Sequence, residues 1–438
     1  MDLAEKILAA GVVGAGGAGF PTHVKAKSKV EFMLANGAEC EPLLHKDVEL
    51  MINFAPEIVR GMQLMMDSTS ARLGYFGIKS KNTQAIEAVQ AALEDHPIEI
   101  CELGDFYPAG DEYELVYSAT KRLIPPAGIP LNVGCVVNNV ESLYNVARAE
   151  EGLPVTEKIL TVSGAVRNPS TFFAPIGTSF EDLIRHAGGT TIRDYCIFIS
   201  GVMMGSFTYD ASQAVTKTTS GLIILPRDHY LVKRKDRTDK SRYRIGKSAC
   251  DQCSYCTEFC PRYLLGYNVQ PHKVMRSLVF SETGAGLWNQ YAELCCACGL
   301  CTLYACPEDL YPKEACDWSK KEMRNQGVKY VQTHPVQVHP VKEGRRVPVK
   351  QLIRRLNLQD YNVPTPFIKE SLKAESVKIY LKQHTGEKSL PVVDTGSRVK
   401  KGQLIARVPE GKLGANIHAS IDGLVNSITE DSIRIIAG

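Results

Sequence analysis

Cys250-Asp251-Gln252-Cys253-Ser254-Tyr255-Cys256-Thr257-Glu258-Phe259-Cys260-Pro261 sets three cysteines two residues apart, then a fourth after a gap of three, then proline. Cys295-Cys296-Ala297-Cys298-Gly299-Leu300-Cys301-Thr302-Leu303-Tyr304-Ala305-Cys306-Pro307 repeats the pattern with a final gap of four. Three thiolates at this spacing wrap one corner of a [4Fe–4S] cubane, and the distant fourth serves the other cubane. The spacing therefore assigns Cys250, Cys253, Cys256 and Cys306 to one cluster, and Cys295, Cys298, Cys301 and Cys260 to a second. Structural zinc is the competing reading, but zinc modules pair two short Cys-x2-4-Cys knuckles rather than running three cysteines in series. The longer final gap predicts a turn one residue longer there. Cys296, next to Cys295, leaves a one-residue shift in ligand choice open, and Cys316 reads as a buried thiol outside the ligand set.

Working outward, the stretch between the two runs has helical periodicity over 273–280 and 286–294, and 315–326 continues it. Helices at these places predict an α-helical dicluster domain rather than a compact β-hairpin one. Upstream lies a cationic run, Lys233-Arg234-Lys235-Asp236-Arg237, continued by Lys240, Arg242, Arg244 and Lys247. It reads first as a solvated linker and second as a collar for an acidic redox partner.

The 438 residues suffice for three or four domains. Lys+Arg is 51 and Asp+Glu 48, a formal charge of +3, too balanced for nucleic acid to be the main partner. Fourteen cysteines, eight of them assigned to the two clusters, predict a reducing compartment, because cluster assembly needs free thiols. The N-terminus lacks the basic and apolar regions of a signal peptide, and no stretch approaches the ~20 apolar residues of a membrane span. A soluble protein, at most docked on a partner, is expected.

Near the N-terminus a short amphipathic helix over 4–12 leads into Gly14-Ala15-Gly16-Gly17-Ala18-Gly19-Phe20-Pro21-Thr22, with Lys25 beyond. Dense glycines let backbone N–H groups approach a phosphate, although a flexible turn would look the same. Three further blocks follow in order: Asn36-Gly37-Ala38-Glu39-Cys40-Glu41-Pro42, then Tyr107-Pro108-Ala109-Gly110-Asp111-Glu112, then Asn138-Asn139-Val140-Glu141. Together the four blocks resemble the NADH-binding flavoprotein subunit of respiratory complex I and the C subunit of the Rnf complex. The resemblance implies that Gly14, Gly16, Gly17, Gly19 and Lys25 hold the FMN phosphate. It implies that Asn36, Glu39, Asn138 and Asn139 line the flavin, that Phe20 stacks near the nicotinamide or adenine, and that Glu41 and Glu112 contact the dinucleotide. Ala38 stands where the complex I subunit has an aspartate, and the Rnf-like branch fits better there.

Residues 158–226 read as β-rich, with alternation over 159–166, a turn at Asn168-Pro169 and a helix over 179–186. This segment resembles the soluble-ligand-binding β-grasp module of both families, serving here as a spacer between flavin and clusters. Residues 373–438 are short strands with turns at Thr395-Gly396, Lys401-Gly402 and Asp422-Gly423, and resemble a biotinyl/lipoyl-like barrel-sandwich hybrid. The turn at 411–415 lacks an Asp-Lys pair for lipoylation, so a docking module is expected, with His418 structural. The expected fold is multidomain α/β and α+β. It comprises an FMN/NADH-binding α/β domain (1–150), the β-grasp module (151–228), an α-helical two-cluster ferredoxin domain (229–345), a linker (346–372) and the C-terminal hybrid (373–438).

The hybrid module is N-terminal in the Rnf protein and C-terminal here. That order resembles the cobalamin reductases of propanediol-utilisation microcompartments. The resemblance implies an NADH-dependent flavin/iron–sulfur oxidoreductase that passes electrons through FMN and two [4Fe–4S] clusters to cobalamin. It implies a cytoplasmic setting within a bacterial microcompartment, with an adenosyltransferase, shell protein or electron-transfer protein as partner. The chain has no Asp-x-His-x-x-Gly corrinoid motif, so cobalamin would be a visiting substrate or held by a partner. Two alternatives stay open: a soluble electron conduit feeding another reductase, such as an amino-acid reductase, and a non-catalytic iron–sulfur scaffold.

Overall fold

The computed structural model describes residues 1–280 and 289–438. The expected helix over 286–294 begins among residues outside this range; within it, a single 3-10 turn covers Gln290–Ala292. The first unit opens with α1 (Leu3–Ala10), capped by Asp2 and ended by left-handed Gly11, then α2 (Thr22–Ala26). It continues as β1 (Phe32–Gly37), α3 (Lys46–Thr69), β2 (Leu73–Lys79), α4 (Thr83–Leu93), β3 (Ile98–Leu103), β4 (Phe106–Tyr107), α5 (Glu112–Thr120), β5 (Cys135–Asn139) and α6 (Val140–Glu150). β1, β2, β3 and β5 form a parallel sheet in the order β3-β2-β1-β5. Their apolar residues bury on both faces, as parallel strands must, with Met33, Ala35, Phe76 and Ile78 in one core and Leu34, Val137 and Leu103 in another.

The chain builds outward from β1 to β3, then returns to the opposite side of β1 as β5. The β1/β5 seam is therefore the switch point of the sheet, where ligands of open α/β sheets bind beyond the strands' carboxyl ends. Ala35 pairs with Asn138 and Asn36 with Asn139 across that seam.

The second unit comprises β6 (Glu157–Gly164), β7 (Ser170–Pro175), α7 (Phe180–His186), β8 (Tyr195–Ile199), β9 (Ser206–Thr208) and β10 (Gly221–Pro226). Its helix sits where the sequence places it, N-capped by Ser179. The third unit runs through α8 (Tyr230–Lys235), α9 (Asp239–Ala249), α10 (Tyr255–Glu258), α11 (Pro261–Leu264), α12 (Pro271–Ser277) and α13 (Pro312–Asn325). It is helical among its described residues, as expected. The cationic run is not a free linker. It forms α8 and α9, and Arg234 is buried, donating to the carbonyls of Thr302 and Leu310.

Residues 346–372 are strapped to the body. β11 (Val347–Pro348) pairs with β4, α14 (Val349–Arg355) packs against Tyr107, Leu300 and Leu303, and β12 (Phe367–Ile368) adds a parallel strand beside β7. The last unit runs from β13 (Ser376–Tyr380) through β14 (Leu390–Pro391), β15 (Arg398–Val399), β16 (Leu404–Arg407), β17 (Ile417–His418) and β18 (Gly423–Ile428) to β19 (Ser432–Ala437). It makes a four-stranded and a three-stranded sheet around a core of Val377, Ile379, Ile405, Val425 and Ile435. No helix among the described residues is long and apolar enough to cross a membrane.

Candidate flavin and iron–sulfur site

The glycine loop is a closed structure. Gly14 N–H donates to Phe20 O (2.8 Å), Gly19 N–H to Gly14 O (3.1 Å), and Val13 bridges Pro21. Ala15 N–H donates to Ser142 Oγ (2.9 Å) on α6, and a Cβ on Gly16 would meet the Asn139 side chain at 3.4 Å. The loop is thus held over the β1/β5 seam and the amino end of α6, where the helix dipole favours an anion. Gly17 has φ +112°, and a Cβ there would meet nothing within 4 Å. Backbone at Gly17 faces open space, the cradle that a phosphate needs.

Around the cradle the structure gathers most of the expected residues. Lys25 Nζ donates to Val137 O (2.6 Å) in the middle of β5 and is close enough to Glu112 to feel its charge. Burial pushes the Glu112 carboxyl up, and Lys25 pulls it back. Asn36 Nδ2 donates to Gly110 O (2.9 Å). Asn138 is buried with Nδ2 on Met33 Sδ, and Asn139 caps α6 while Nδ2 donates to Asp47 Oδ2 (2.9 Å). Phe20 lies half-buried at the loop's end. Two residues are otherwise engaged. Glu39 turns onto the amino end of α3, accepting from Asp47 N–H (2.9 Å) and Val48 N–H (3.3 Å), and burial beside Asp47 pushes its carboxyl up to about 8. Glu41 reaches away from the cradle and accepts from the N–H groups of Met203 (3.0 Å) and Met204 (2.8 Å), fastening the second unit.

Buried charges beneath the loop went unseen in the sequence. Glu141 on α6 binds both Lys46 (3.0 Å) and Lys158, and Lys158 Nζ also reaches Ala15 O at 3.4 Å. Burial lowers Lys158 to about 8, with Glu141 opposing. A lysine heading an apolar strand, Lys158-Ile159-Leu160, was the available signal. A hollow of about 510 Å³ between α3, α6 and β7, lined by Phe54, Tyr144, Arg148, Phe173 and Phe367, shares no residue with the cradle.

The two cysteine runs have one backbone shape. Gln252 and Ser254 flank Cys253 with φ +59° and +65°, and Ala297 and Gly299 flank Cys298 with φ +57° and +82°. Left-handed residues at these places coil the chain inward around a point. Cys260 and Cys306 close their runs in matching extended conformations, φ −72° and −76°. The extra residue before Cys306 is absorbed by a π-helical turn over Cys301–Ala305. That is the longer turn the spacing called for, and π-turns of this kind recur at functional sites.

Cys250, Cys253, Cys256 and Cys306 line one hollow together with His272 and Met275. Cys260, Cys295, Cys296, Cys298, Cys301 and Cys316 lie together as a second group, and Cys301 also lies near Cys256 of the first. Among the described residues no three Cys, His, Asp or Glu side chains converge on a point for a single ion. Backbone N–H groups face the sulfurs, from Leu310 to Cys306 and from Ala297 to Cys295 (3.3 Å each), the hydrogen bonds by which proteins tune such centres. Cys316 is fully buried beside Cys295, and Cys296 lies beside Cys298 and Arg262.

The two thiol sets differ in surroundings. Cys253 of the first is exposed. The second abuts the flavin domain: Tyr107 Oη donates to Cys298 O (2.8 Å), and Arg262 pairs with Asp111 (3.0 Å), the cap of α5 next to Glu112.

Residues 7–148 match the Nuo51 FMN-binding domain family, 159–206 the SLBB domain, 249–311 the 4Fe-4S dicluster domain and 363–436 the RnfC barrel sandwich hybrid domain. The chain is 41% identical to the protein named cobalamin reductase PduS of Salmonella typhimurium, over 100% of this chain and 97% of that one. It is 40% identical to its counterpart of Citrobacter freundii, over 99% and 96%. The C subunit of the Na(+)-translocating ferredoxin:NAD(+) oxidoreductase complex of Acetobacterium woodii is 35% identical over 60% of this chain and 59% of its own. A chain of an NAD+-reducing [NiFe]-hydrogenase superposes with TM-score 0.48 at 18% identity, covering 78% of this chain and 65% of that one.

Proposed function

Since the chain belongs to the PduS cobalamin reductase family, we propose that it is an NADH-dependent flavin/iron–sulfur oxidoreductase that reduces the cobalt of cobalamin. The observation that carries this reading is the direct abutment of the two halves. The segment that brings Asp111 and Glu112 to the flavin cradle also carries Tyr107, whose hydroxyl is bonded to the backbone of a second-set cysteine. FMN, when bound, accepts a hydride from NADH and releases its two electrons singly to one-electron [4Fe–4S] centres.

The chain's own residues bind, orient and shield. Gly16, Gly17 and Ala18 at the tip of the loop offer N–H groups to the FMN phosphate, while Gly14, Ala15 and Gly19 spend theirs on closing the loop; Lys25 supplies positive charge. Asn36, Asn138 and Asn139 edge the flavin from the sheet's switch point, and Glu112 faces the incoming dinucleotide. Glu39, held on the end of α3 by the N–H groups of Asp47 and Val48, has its carboxyl pushed up by burial and by Asp47. Glu41, spent on the amides of Met203 and Met204, acts in this reading by locking the β-grasp unit rather than by touching NADH. Cys250, Cys253, Cys256 and Cys306 hold one cluster, and Cys260, Cys295, Cys298 and Cys301 the other. The matching left-handed turns set Cys295 in register with Cys250, which supports Cys295 over Cys296 as the ligand. Residues 346–372 serve as a strap between the units proposed at 1–150, 151–228, 229–345 and 373–438. An adenosyltransferase or a microcompartment protein is the proposed partner, and the microcompartment the proposed setting.

Anaerobic protein with NADH and cob(III)alamin tests the reading. Two cob(II)alamin form per NADH oxidised, because cobalt takes one electron and NADH gives two. NADH oxidation with ferricyanide but none with cobalamin would instead favour an electron conduit to another reductase. No flavin and no NADH oxidation would leave only a scaffold.

A further inference from the structure

Arg262 sits where the flavin domain meets the second thiol set. It follows Cys260-Pro261 at the amino end of α11, and it is 8% exposed. Its Nη2 donates to Asp111 Oδ2 (3.0 Å), and Asp111 is itself fixed by capping α5 through Tyr113 N–H and Glu114 N–H. The Tyr113 ring covers one face of the guanidinium at 3.4 Å, with the Tyr267 ring 6.0 Å away. The guanidinium lies against the Cys296 sulfur, and its Nε and Nη1 meet no oxygen or nitrogen acceptor. A buried donor left without a good acceptor is costly, and Arg262 has two, covered by a ring. The Cys296 sulfur in turn lies beside those of Cys298 and Cys260.

We propose that Arg262 donates its free N–H groups to sulfur of the cluster held by Cys260, Cys295, Cys298 and Cys301, and thereby raises that centre's reduction potential. This rests on the cluster assignment above. The effect is electrostatic. Reduction adds one electron to the centre and no proton, so a fixed cation with N–H groups on sulfur stabilises the reduced form more than the oxidised one. The same side chain is tied through Asp111 to the helix start that presents Glu112 to the flavin. Arg262 therefore marks the second centre, the one abutting the flavin domain, as the electron-accepting one. In the first set Cys253 is exposed, and the buried Arg234 spends its Nη2 on the carbonyls of Thr302 and Leu310.

The test is a potentiometric titration followed by electron paramagnetic resonance on the anaerobic full-length protein, with iron and FMN content measured in parallel. Two reducible centres and about eight iron in the wild type establish the cluster assignment separately. Arg262→Gln is expected to keep iron and FMN while one of the two signals moves negative. At a fixed potential its reduced-to-oxidised ratio falls about tenfold, equivalent to about 59 mV for one electron. Arg262→Lys keeps the charge but loses the fork, and falls between. Unchanged potentials in Arg262→Gln at full iron content overturn the proposal. Loss of the centre's iron from both variants also overturns it, since Arg262 would then be a brace and not a tuner.

Discussion

At the residue scale the flavin loop depends on backbone that no side chain crowds. Gly17 combines a left-handed φ with open space above its Cα, so Gly17→Val both strains the turn and fills the cradle. FMN affinity is expected to fall by more than tenfold, about 1.4 kcal/mol, with iron content unchanged; flavin retained at wild-type occupancy would move the phosphate elsewhere. Tyr107→Phe removes one buried hydroxyl bond to Cys298 O and costs about 1 kcal/mol of stability, read as a lower unfolding midpoint without loss of iron. The glycines were legible because conformational demand is written locally. Lys158 and Lys46 were not, because their shared partner Glu141 is distant from Lys46 in sequence and only the fold reveals that these three charges and Asp47 are buried together. Glu41 shows the converse: an acidic residue in a motif block whose carboxylate folds onto another unit's amides.

At the element scale the two cysteine runs behave as one motif used twice. Their left-handed residues fall at matching places, and a π-turn takes up the extra residue. Cys295→Ala is expected to remove one cluster, about four iron, while Cys296→Ala keeps both; the opposite result would place the ligand at Cys296. Deleting Leu303 removes the extra residue and gives the second run the gap of three found in the first, so an α-turn is expected to keep Cys306 in place. Iron should stay at about eight; a drop of about four with the first centre's signal lost would show that the π-turn itself positions Cys306. Spacing alone made the longer turn legible, since the gap of four announced it. It could not show that the cationic run after 233 forms helices with a buried arginine, because charge density reads as solvent exposure until a carbonyl partner is seen.

At the scale of the whole molecule, three units meet at Lys217. Its Nζ donates to Gly11 O of the first unit (2.6 Å) and Asn416 O of the last (2.7 Å). Burial alone lowers it from 10.5 to about 7. His384 and His418, which face it, are lowered by burial to about 4 and 3 and stay neutral above those values. Between about pH 7 and 10.5 the unfolded chain holds a proton that the folded one has released, so Lys217 adds stability as pH rises through that window. Below about 7 the full cost of a buried cation remains. Lys217→Gln should therefore flatten the rise of the thermal midpoint between pH 7 and 9; an unchanged slope would show that the folded amine keeps its proton across that window. The four units were legible as separate stretches, but their docking was not, since loop carbonyls leave no mark in sequence. One docking contact has a consequence for synthesis. Thr385 donates N–H and Oγ1 to the carbonyls of Gly19 and Ala18 (2.9 Å each), and His384 packs on Gly19. The loop that leaves the ribosome first is thus pinned by residues translated several hundred codons later. A nascent chain with its first domain already folded would present an unpinned cradle until the last unit emerges, which makes firm flavin retention a late event in the life of each polypeptide.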